Sequence, residues 1–259
     1  SAGLAVILKK NSYLFVDGRY TIQAQQQSGK QFKIIEIHKF LPRSVIKNLT
    51  LGFDPNLLTK RQLYGYFGKF LELKQINNNL IDEIYKKRNP KAKKFFSLSS
   101  KITGESFKSK INKIVNILKL NKTDYLFISA PENVAWVLNI RGSDNPNSPI
   151  PNCRLIIGKN KGLFLITQKE KVSKIIKDKK LSKKQIINPE KFEHLIKKLK
   201  GKKFIIDPLS CSIFNENIIK SKFKISNKDD PCYKLKSIKN LSEINHMINA
   251  HIEDGVALT

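Results

Sequence analysis

Residues 154–171, RLIIGKNKGLFLITQKEK, read as an apolar strand, a Lys/Asn/Gly turn, a second apolar strand and the start of a helix; residues 5–21, AVILKKNSYLFVDGRYT, repeat that pattern. Apolar runs on either side of a short turn bearing Asn or Gly form hairpins, because those residues tolerate the positive φ that tight turns need. The repeat continues further along. Residues 51–58 (LGFDPNLL) match residues 205–213 (IIDPLSCSI), each a strand ending in Asp-Pro with a helix to follow. Pro suits the first position of a helix, where its fixed φ is already helical. Phe15 lies 39 residues before Asp54, and Phe164 lies 43 before Asp207. One α/β unit used twice accounts for both spacings. The expected fold is therefore α/β, with two similar domains of order β-β-α-β-α-β and small mixed sheets flanked by helices.

The boundary is expected in residues 86–101 (KKRNPKAKKFFSLSSK), a basic stretch containing Pro and lacking helical or alternating period. That places the first domain at residues 1–87, a linker at 88–102 and the second domain at 103–231. Within the second domain, Phe107, Ile111, Ile114, Val115 and Leu118 recur at helical spacing over residues 105–118. Residues 125–128 (YLFI) predict a strand, and residues 131–139 (PENVAWVLN) a short helix. Asn240 and Glu243 have capping-box spacing and open a helix with Ile244, Met247, Ile248, Ile252, Val256 and Leu258 on its apolar face. Residues 232–259 are expected to begin a further domain. Residue 1 is Ser, residues 3–8 (GLAVIL) read as a buried strand with no lead-in, and the last helix has nothing downstream to cover it. The expectation is a fragment cut at both ends.

Composition narrows the function classes. The chain has 259 residues, 40% hydrophobic and 27% charged, enough apolar material for a globular core. Its longest apolar run, residues 4–8, falls far short of the roughly 20 residues a spanning helix needs, so a transmembrane helix is excluded. Three cysteines (Cys153, Cys211, Cys232) without a C-x-x-C pair suggest neither a disulfide framework nor a thiolate zinc site. A formal charge of +28 has the size of a nucleic-acid footprint. Only Arg19, Arg43, Arg61, Arg88, Arg141 and Arg154 are arginine, so 43 of the 49 cations are lysine. Recognition of phosphates and base edges favours the bidentate guanidinium. Lysines spread along a chain rich in Ile and Asn instead read as a solvated surface filled by compositional bias.

The common catalytic constellations are absent. His38, His194, His246 and His251 fall in no metal-binding spacing, and there is no G-x-S-x-G elbow, no G-x-G-x-x-G after a strand and no P-loop. Asp17, Asp54 and Asp207 stand beside Gly or Pro at strand ends, where Asp serves backbone N–H groups of the turn. One loop is a candidate site. Residues 141–153 (RGSDNPNSPIPNC) carry Pro146, Pro149 and Pro151 and follow the helix bearing Trp136, the only tryptophan. Arg141 and Asp144 are placed either to hold a ligand's carboxylate or amine, or to pair with each other and tie the loop down. Trp136 suits either the core or a domain contact.

These residues resemble the three-domain Xaa-Pro aminopeptidases (aminopeptidase P). Residues 1–26 (SAGLAVILKKNSYLFVDGRYTIQAQQ), with an S-A-G start and a D-G-R-Y turn, look like the family's first creatinase/prolidase-like amino-terminal domain. Residues 132–149 (ENVAWVLNIRGSDNPNSP) resemble its A-W-L-L-N-L-R-G-S-D signature, with Asn145 where an aliphatic residue is usual. Residues 234–259 (KLKSIKNLSEINHMINAHIEDGVALT) resemble the opening of its pita-bread catalytic domain. The resemblance implies a metallopeptidase, a hydrolase that removes an amino-terminal residue preceding proline. It also implies peptide substrates with proline at the second position, two divalent ions, usually manganese, a cytoplasmic location and a homodimer. The family's metal ligands, two Asp, one His and two Glu, belong to the third domain; no position here matches them. No catalytic or metal residue is therefore assigned in this chain, no cofactor is expected to bind it, and Arg141, Asp144 and Trp136 are its substrate-access candidates. No membrane and no specific nucleic-acid partner are expected. The rival reading is a pita-bread relative that has lost catalysis and binds an acidic or nucleic-acid partner, as the charge would suit.

Overall fold

Each repeated hairpin forms where its turn chemistry places it. In the second copy, Lys161 adopts φ +67°, Gly158 N–H donates to Gly162 O (2.8 Å), and Gly162 N–H donates to Asn160 Oδ1 (3.1 Å). The first copy closes more tightly, with Leu8 N–H donating to Asn11 O (2.9 Å). The computed structural model describes residues 3–46, 48–68, 72–85 and 93–259, and it falls into two compact units, Ser1–Ile84 and Tyr85–Thr259.

The first unit runs β1 (Gly3–Ile7), β2 (Ser12–Val16), α1 (Thr21–Gln27), β3 (Phe32–Glu36), β4 (Leu51–Phe53), α2 (Lys60–Phe67), β5 (Leu73–Gln75) and α3 (Leu80–Ile84). β1 and β2 pair antiparallel and β3 joins β2 parallel, giving one three-stranded sheet; β4 and β5 form a separate parallel pair. Thr59 and Gln62 cap α2 reciprocally. Val6, Phe15, Val16, Phe53, Leu63 and Phe67 are buried.

The second unit runs β6 (Phe96–Ser97), α4 (Ser100–Thr103), α5 (Phe107–Leu120), β7 (Tyr125–Ile128), α6 (Pro131–Leu138), β8 (Ile140–Arg141), β9 (Arg154–Gly158), β10 (Leu163–Ile166), α7 (Ser173–Lys177), β11 (Ile186–Ile187), α8 (Phe192–Lys198), β12 (Lys203–Ile206), α9 (Ile213–Lys220), β13 (Lys224–Asn227), α10 (Pro231–Ser237) and α11 (Leu241–Leu258). Its main sheet has the order β11-β10-β9-β7-β12-β13. β7 shows why YLFI is apolar throughout: Leu126 and Ile128 enter one core with Ile111, Ile114 and Leu118 of α5, whereas Tyr125 and Phe127 enter a second with Phe192 and Ile196 of α8. Alternate side chains face opposite sides of a strand, so one covered on both faces carries no polar alternation.

One carboxylate ties the start of this sheet together. Asp124 Oδ2 accepts from Lys202 N–H (2.7 Å) and Lys203 N–H (3.0 Å), and its Oδ1 lies 2.7 Å from Lys159 Nζ. Partial burial pushes its pKa up, but the bonds from Lys159 and the two amides outweigh that and bring it down to about 2. Gly201, at φ +147°, is needed here, because a Cβ would come within 3.0 Å of the Asp124 side chain.

The α/β class with small mixed sheets flanked by helices is what the sequence implies, but the expected element order omits the short β6 and β8 and one strand after each hairpin. β3 and β11 each run parallel to the second strand of a hairpin. β11 is only two residues long, and β3 (FKIIE) carries Lys and Glu at either side of its apolar pair, so neither presents a clear run. The repeat itself is preserved: Phe15 and Phe164 lie in the second strands of their hairpins, and Asp54 and Asp207 each follow a strand. Asp17, Asp54 and Asp207 accept the backbone N–H of Arg19 (3.0 Å), Asn56 (2.7 Å) and Leu209 (2.8 Å), the turn role read from sequence. The linker reading needs correction. Residues 86–92 lie outside the described residues, but Phe95 is fully buried in the second unit's core, and Phe96–Ser97 pairs with β8.

Candidate functional site

The candidate loop begins where α6 ends. Pro131 occupies the first turn of α6, and the helix is fastened by Asn133 Nδ2, which donates to Asp230 Oδ2 (2.8 Å) at the cap of α10. α6 stops at Asn139, which adopts the left-handed conformation (φ +49°) open to Asn at modest cost. Every polar group of that buried side chain is used: Nδ2 donates to Thr103 Oγ1 (3.0 Å) and Glu105 O (2.8 Å), and Oδ1 accepts from Lys110 Nζ (2.8 Å).

Two lysines meet the helix's carbonyl end. Lys110 Nζ also donates to Trp136 O (3.1 Å) and sits 4.3 Å from the centre of the Trp136 ring; Lys180 Nζ donates to Asn139 O (2.8 Å). Cations are favoured there by the helix dipole, and an ammonium over an indole face gains further. Burial nevertheless brings both lysines down to about 8.

Beyond Asn139, Arg141 turns back. Its Nη1 donates to Ile140 O (2.9 Å) and Ala135 O (3.4 Å). Gly142 follows, at a point where a Cβ would lie 2.8 Å from Pro151 Cα and 3.0 Å from the Phe95 ring. Its N–H donates to Pro149 O (3.0 Å), which closes the loop on itself. Asp144 faces inward: Oδ1 lies 2.6 Å from Lys171 Nζ, and Oδ2 accepts from Asn152 N–H (2.7 Å). The Arg141–Asp144 pair considered from sequence is therefore replaced by an Asp144–Lys171 pair, and Arg141 is held by backbone carbonyls. Trp136 is partly buried against the core and serves as the platform for Lys110. Cys153, at the loop's end, is buried, and burial pushes its thiol up, out of the reactive range.

The three sequence candidates thus occupy the base of the loop, and the exposed residues of the loop are Ser143, Asn145, Pro146, Asn147, Pro149 and Asn152. What the loop offers a ligand is a polar tip on a stiff, doubly pinned base. Lys110 and Lys171 escaped the sequence reading. Lys110 falls on the apolar stripe of α5, one residue before Ile111, and that placement was its available signal. Lys171 lies 27 residues from Asp144 and gave none. Among the described residues no group of three or more His, Cys, Asp or Glu is placed to hold a metal ion, and no helix is long and apolar enough to cross a membrane.

Comparison with known proteins identifies the scaffold. The Creatinase/Prolidase N-terminal domain matches residues 86–243. Over the whole chain, Xaa-Pro aminopeptidase 1 of Dictyostelium discoideum is 31% identical and Xaa-Pro aminopeptidase ApepP of Drosophila melanogaster 30% identical. The chain spans 44% and 45% of those two relatives, less than half their length. An X-prolyl aminopeptidase from Caenorhabditis elegans, described as a cytosolic enzyme with a di-nuclear active site, superposes with a TM-score of 0.79 over 99% of this chain and 45% of its own, at 23% identity. By this family match over most of its length, with Xaa-Pro aminopeptidases as its curated relatives, the chain belongs to the creatinase/prolidase amino-terminal domain family.

Proposed function

We propose that these residues are the non-catalytic amino-terminal part of a metal-dependent Xaa-Pro aminopeptidase that removes an amino-terminal residue preceding proline. The observation that carries this reading is whole-chain similarity to Xaa-Pro aminopeptidases of more than twice its length. Chemistry then belongs to the part of the polypeptide beyond α11. Two divalent ions, manganese in this reading, would be held there and would supply an activated water and a polarised scissile carbonyl; no residue described here takes part in that step. A homodimer and a cytoplasmic site of action belong to the same proposal; of the expected domain bounds, the start of the second domain at 103 and its end at 231 give way to a core that takes in Phe95 and Cys232.

The role of this chain is to shape substrate access. In the reading proposed, residues 141–153 border the active-site mouth, and their stiffness limits substrate length and orients the peptide's termini. Prolines fix three φ angles, Gly142 locks the base against Pro151, and Asp144 is clamped to Lys171, so the tip is held at low conformational cost on binding. The test is Arg141→Ala in the full-length enzyme. Loss of its two carbonyl contacts should lower kcat/KM for Xaa-Pro peptides by about tenfold, as for a displaced positioning element, with the melting temperature moved by about 2 °C or less. Unchanged kinetics per folded molecule with a marked loss of stability would assign the loop a structural role only. The charge of +28 is read as a solvated lysine surface, and binding to nucleic acid should be weak and indifferent to sequence.

A further inference from the structure

The main sheet of the second unit changes sides at one point. β7 and β12 are adjacent and parallel. After β7 the chain enters α6, whose Val134, Val137 and Leu138 pack into the first core; after β12 it enters α9, whose Ile219 packs into the second core on the opposite face. Connections that leave neighbouring parallel strands toward opposite faces open a crevice at the strands' carboxyl ends, which is where sheets of this kind take their ligands. The two walls of this crevice touch. Ser129, just past β7, and Ser210, in the turn after β12, have their hydroxyls 2.7 Å apart.

Unmatched donors gather there. β9 runs antiparallel to β7 with Leu155 opposite Ile128, so Arg154 opens β9 beside Ser129. Leu155 enters the first core and Ile156 the second, which turns Arg154 to the face of the second, where Cys211 also lies. Arg154 is partly buried, and burial lowers its pKa; the titratable groups that act on it are the thiols of Cys211 and Cys153. Among the described residues no carboxylate or carbonyl accepts from its guanidinium, and a desolvated cation without a counter-charge is costly. The serine pair adds one more donor. Two hydroxyls bring two protons, and the bond between them uses one. The nearby acids serve the other face: Asp207 follows Ile206, a residue of the second core, and so turns toward the first, where its charge acts on Asp230.

We propose that this crevice binds a small oxyanion of the carboxylate or phosphate class. Arg154 supplies a planar fork of donors and a charge with no carboxylate partner among the described residues, and the spare serine proton supplies a further bond. The fitting guest therefore carries negative charge and accepts hydrogen bonds, which carboxylate and phosphate both do. Arg154 and Ser210 still reach solvent, whereas Ser129 is only 9% exposed, which suits a guest that enters from outside and is held at depth. The inference rests on the sheet's topology and is independent of the peptidase reading.

Six arginines make the test readable, because nitrogen-15 NMR of the arginine Nε–H groups gives one signal for each. The Arg154 signal is the one absent in Arg154→Lys. The 259-residue chain is titrated at pH 7 and fixed ionic strength with inorganic phosphate and, separately, with acetate. At least one of them should move the Arg154 signal saturably, with a dissociation constant of about 1 mM or tighter. Arg141, held by backbone carbonyls in the same unit, should stay in place and report the fold. Saturation by phosphate alone assigns a phosphate guest, and by acetate alone a carboxylate. Ser129→Ala should weaken binding by about fivefold, the worth of one hydrogen bond. A shift equal at all six arginines, or one that saturates with neither anion, would overturn the proposal, and so would unchanged affinity in Ser129→Ala.

Discussion

Replacing Asp144 tests whether the loop is held as the structure describes. The Asp144 and Lys171 side chains are only 16% and 12% exposed, with 2.6 Å between their charged atoms. Around them, Phe95 N–H donates to Lys171 O (2.7 Å), and Lys171 Nζ lies 5.8 Å from the centre of the Phe95 ring. Breaking a fully buried pair by removing one partner costs about 3–5 kcal/mol, because the other charge is stranded; an exposed pair contributes about 0–1 kcal/mol. At this degree of exposure water reaches the stranded ammonium, so Asp144→Ala should cost about 2 kcal/mol, including the acceptor lost to Asn152 N–H. Lys171→Met keeps most of the stem and leaves Asp144 bonded to Asn152, so its cost should be about 1 kcal/mol. The double variant should cost less than the sum, with a coupling of about 1 kcal/mol or more. Urea unfolding at pH 7 followed by fluorescence reads this directly, since Trp136 is the only tryptophan and lies in the same unit. A coupling below about 0.5 kcal/mol would refute the clamp. So would an Arg141→Ala and Asp144→Ala cycle that couples as strongly, which would restore the pairing with Arg141.

Other expectations follow from the same geometry. Because the folded pKa of Asp124 is lowered from 3.8 to about 2, its contribution is present above about pH 4 and is lost as pH falls through 2; Asp124→Asn should lose at most about 2 kcal/mol at pH 7 and flatten the acid limb of the stability curve, measured by unfolding at stepped pH. Lys110 has the same sign of proton balance in a higher window: with its pKa lowered from 10.5 to about 8, the unfolded chain binds more protons between those values. The parent protein should therefore gain stability relative to Lys110→Met as pH rises from about 8 towards 10.5, and a difference independent of pH would refute the buried-lysine assignment. For the surface charge, filter binding with DNA of two unrelated sequences should give equal, weak affinities that vanish between about 50 and 200 mM salt; tight, sequence-dependent binding at physiological salt would favour a polyanion-binding protein.

What could be read from the chain, and what could not, divides by the range of the interaction responsible. The YLFI strand, the α5 stripe and the Asn240–Glu243 capping box are each decided by residues within a turn or two, and each forms where its pattern lies. Phe95 and β6 were hidden because a two-residue strand among lysines has no period; β6 is paired by β8, more than forty residues further on, and Phe95 N–H by Lys171 O. The loop misled for the same reason. Arg141 and Asp144 stand three apart and carry opposite charge, so local reasoning joins them, but the acid is taken by a lysine from beyond the hairpin and the arginine by carbonyls of its own helix end. Lys110 is the instructive intermediate case. Its position on the apolar stripe is visible in sequence, since it falls three residues after Phe107 and four before Ile114, yet a lysine there reads as a flaw in the pattern. It becomes a feature only when Asn139, nearly thirty residues away, leaves its helix in a left-handed turn and presents Oδ1 to the ammonium. Local patterns place the elements that carry this loop, whereas the contacts that aim it are made between elements. A sequence can therefore point to the loop as a candidate and still assign its residues the wrong partners.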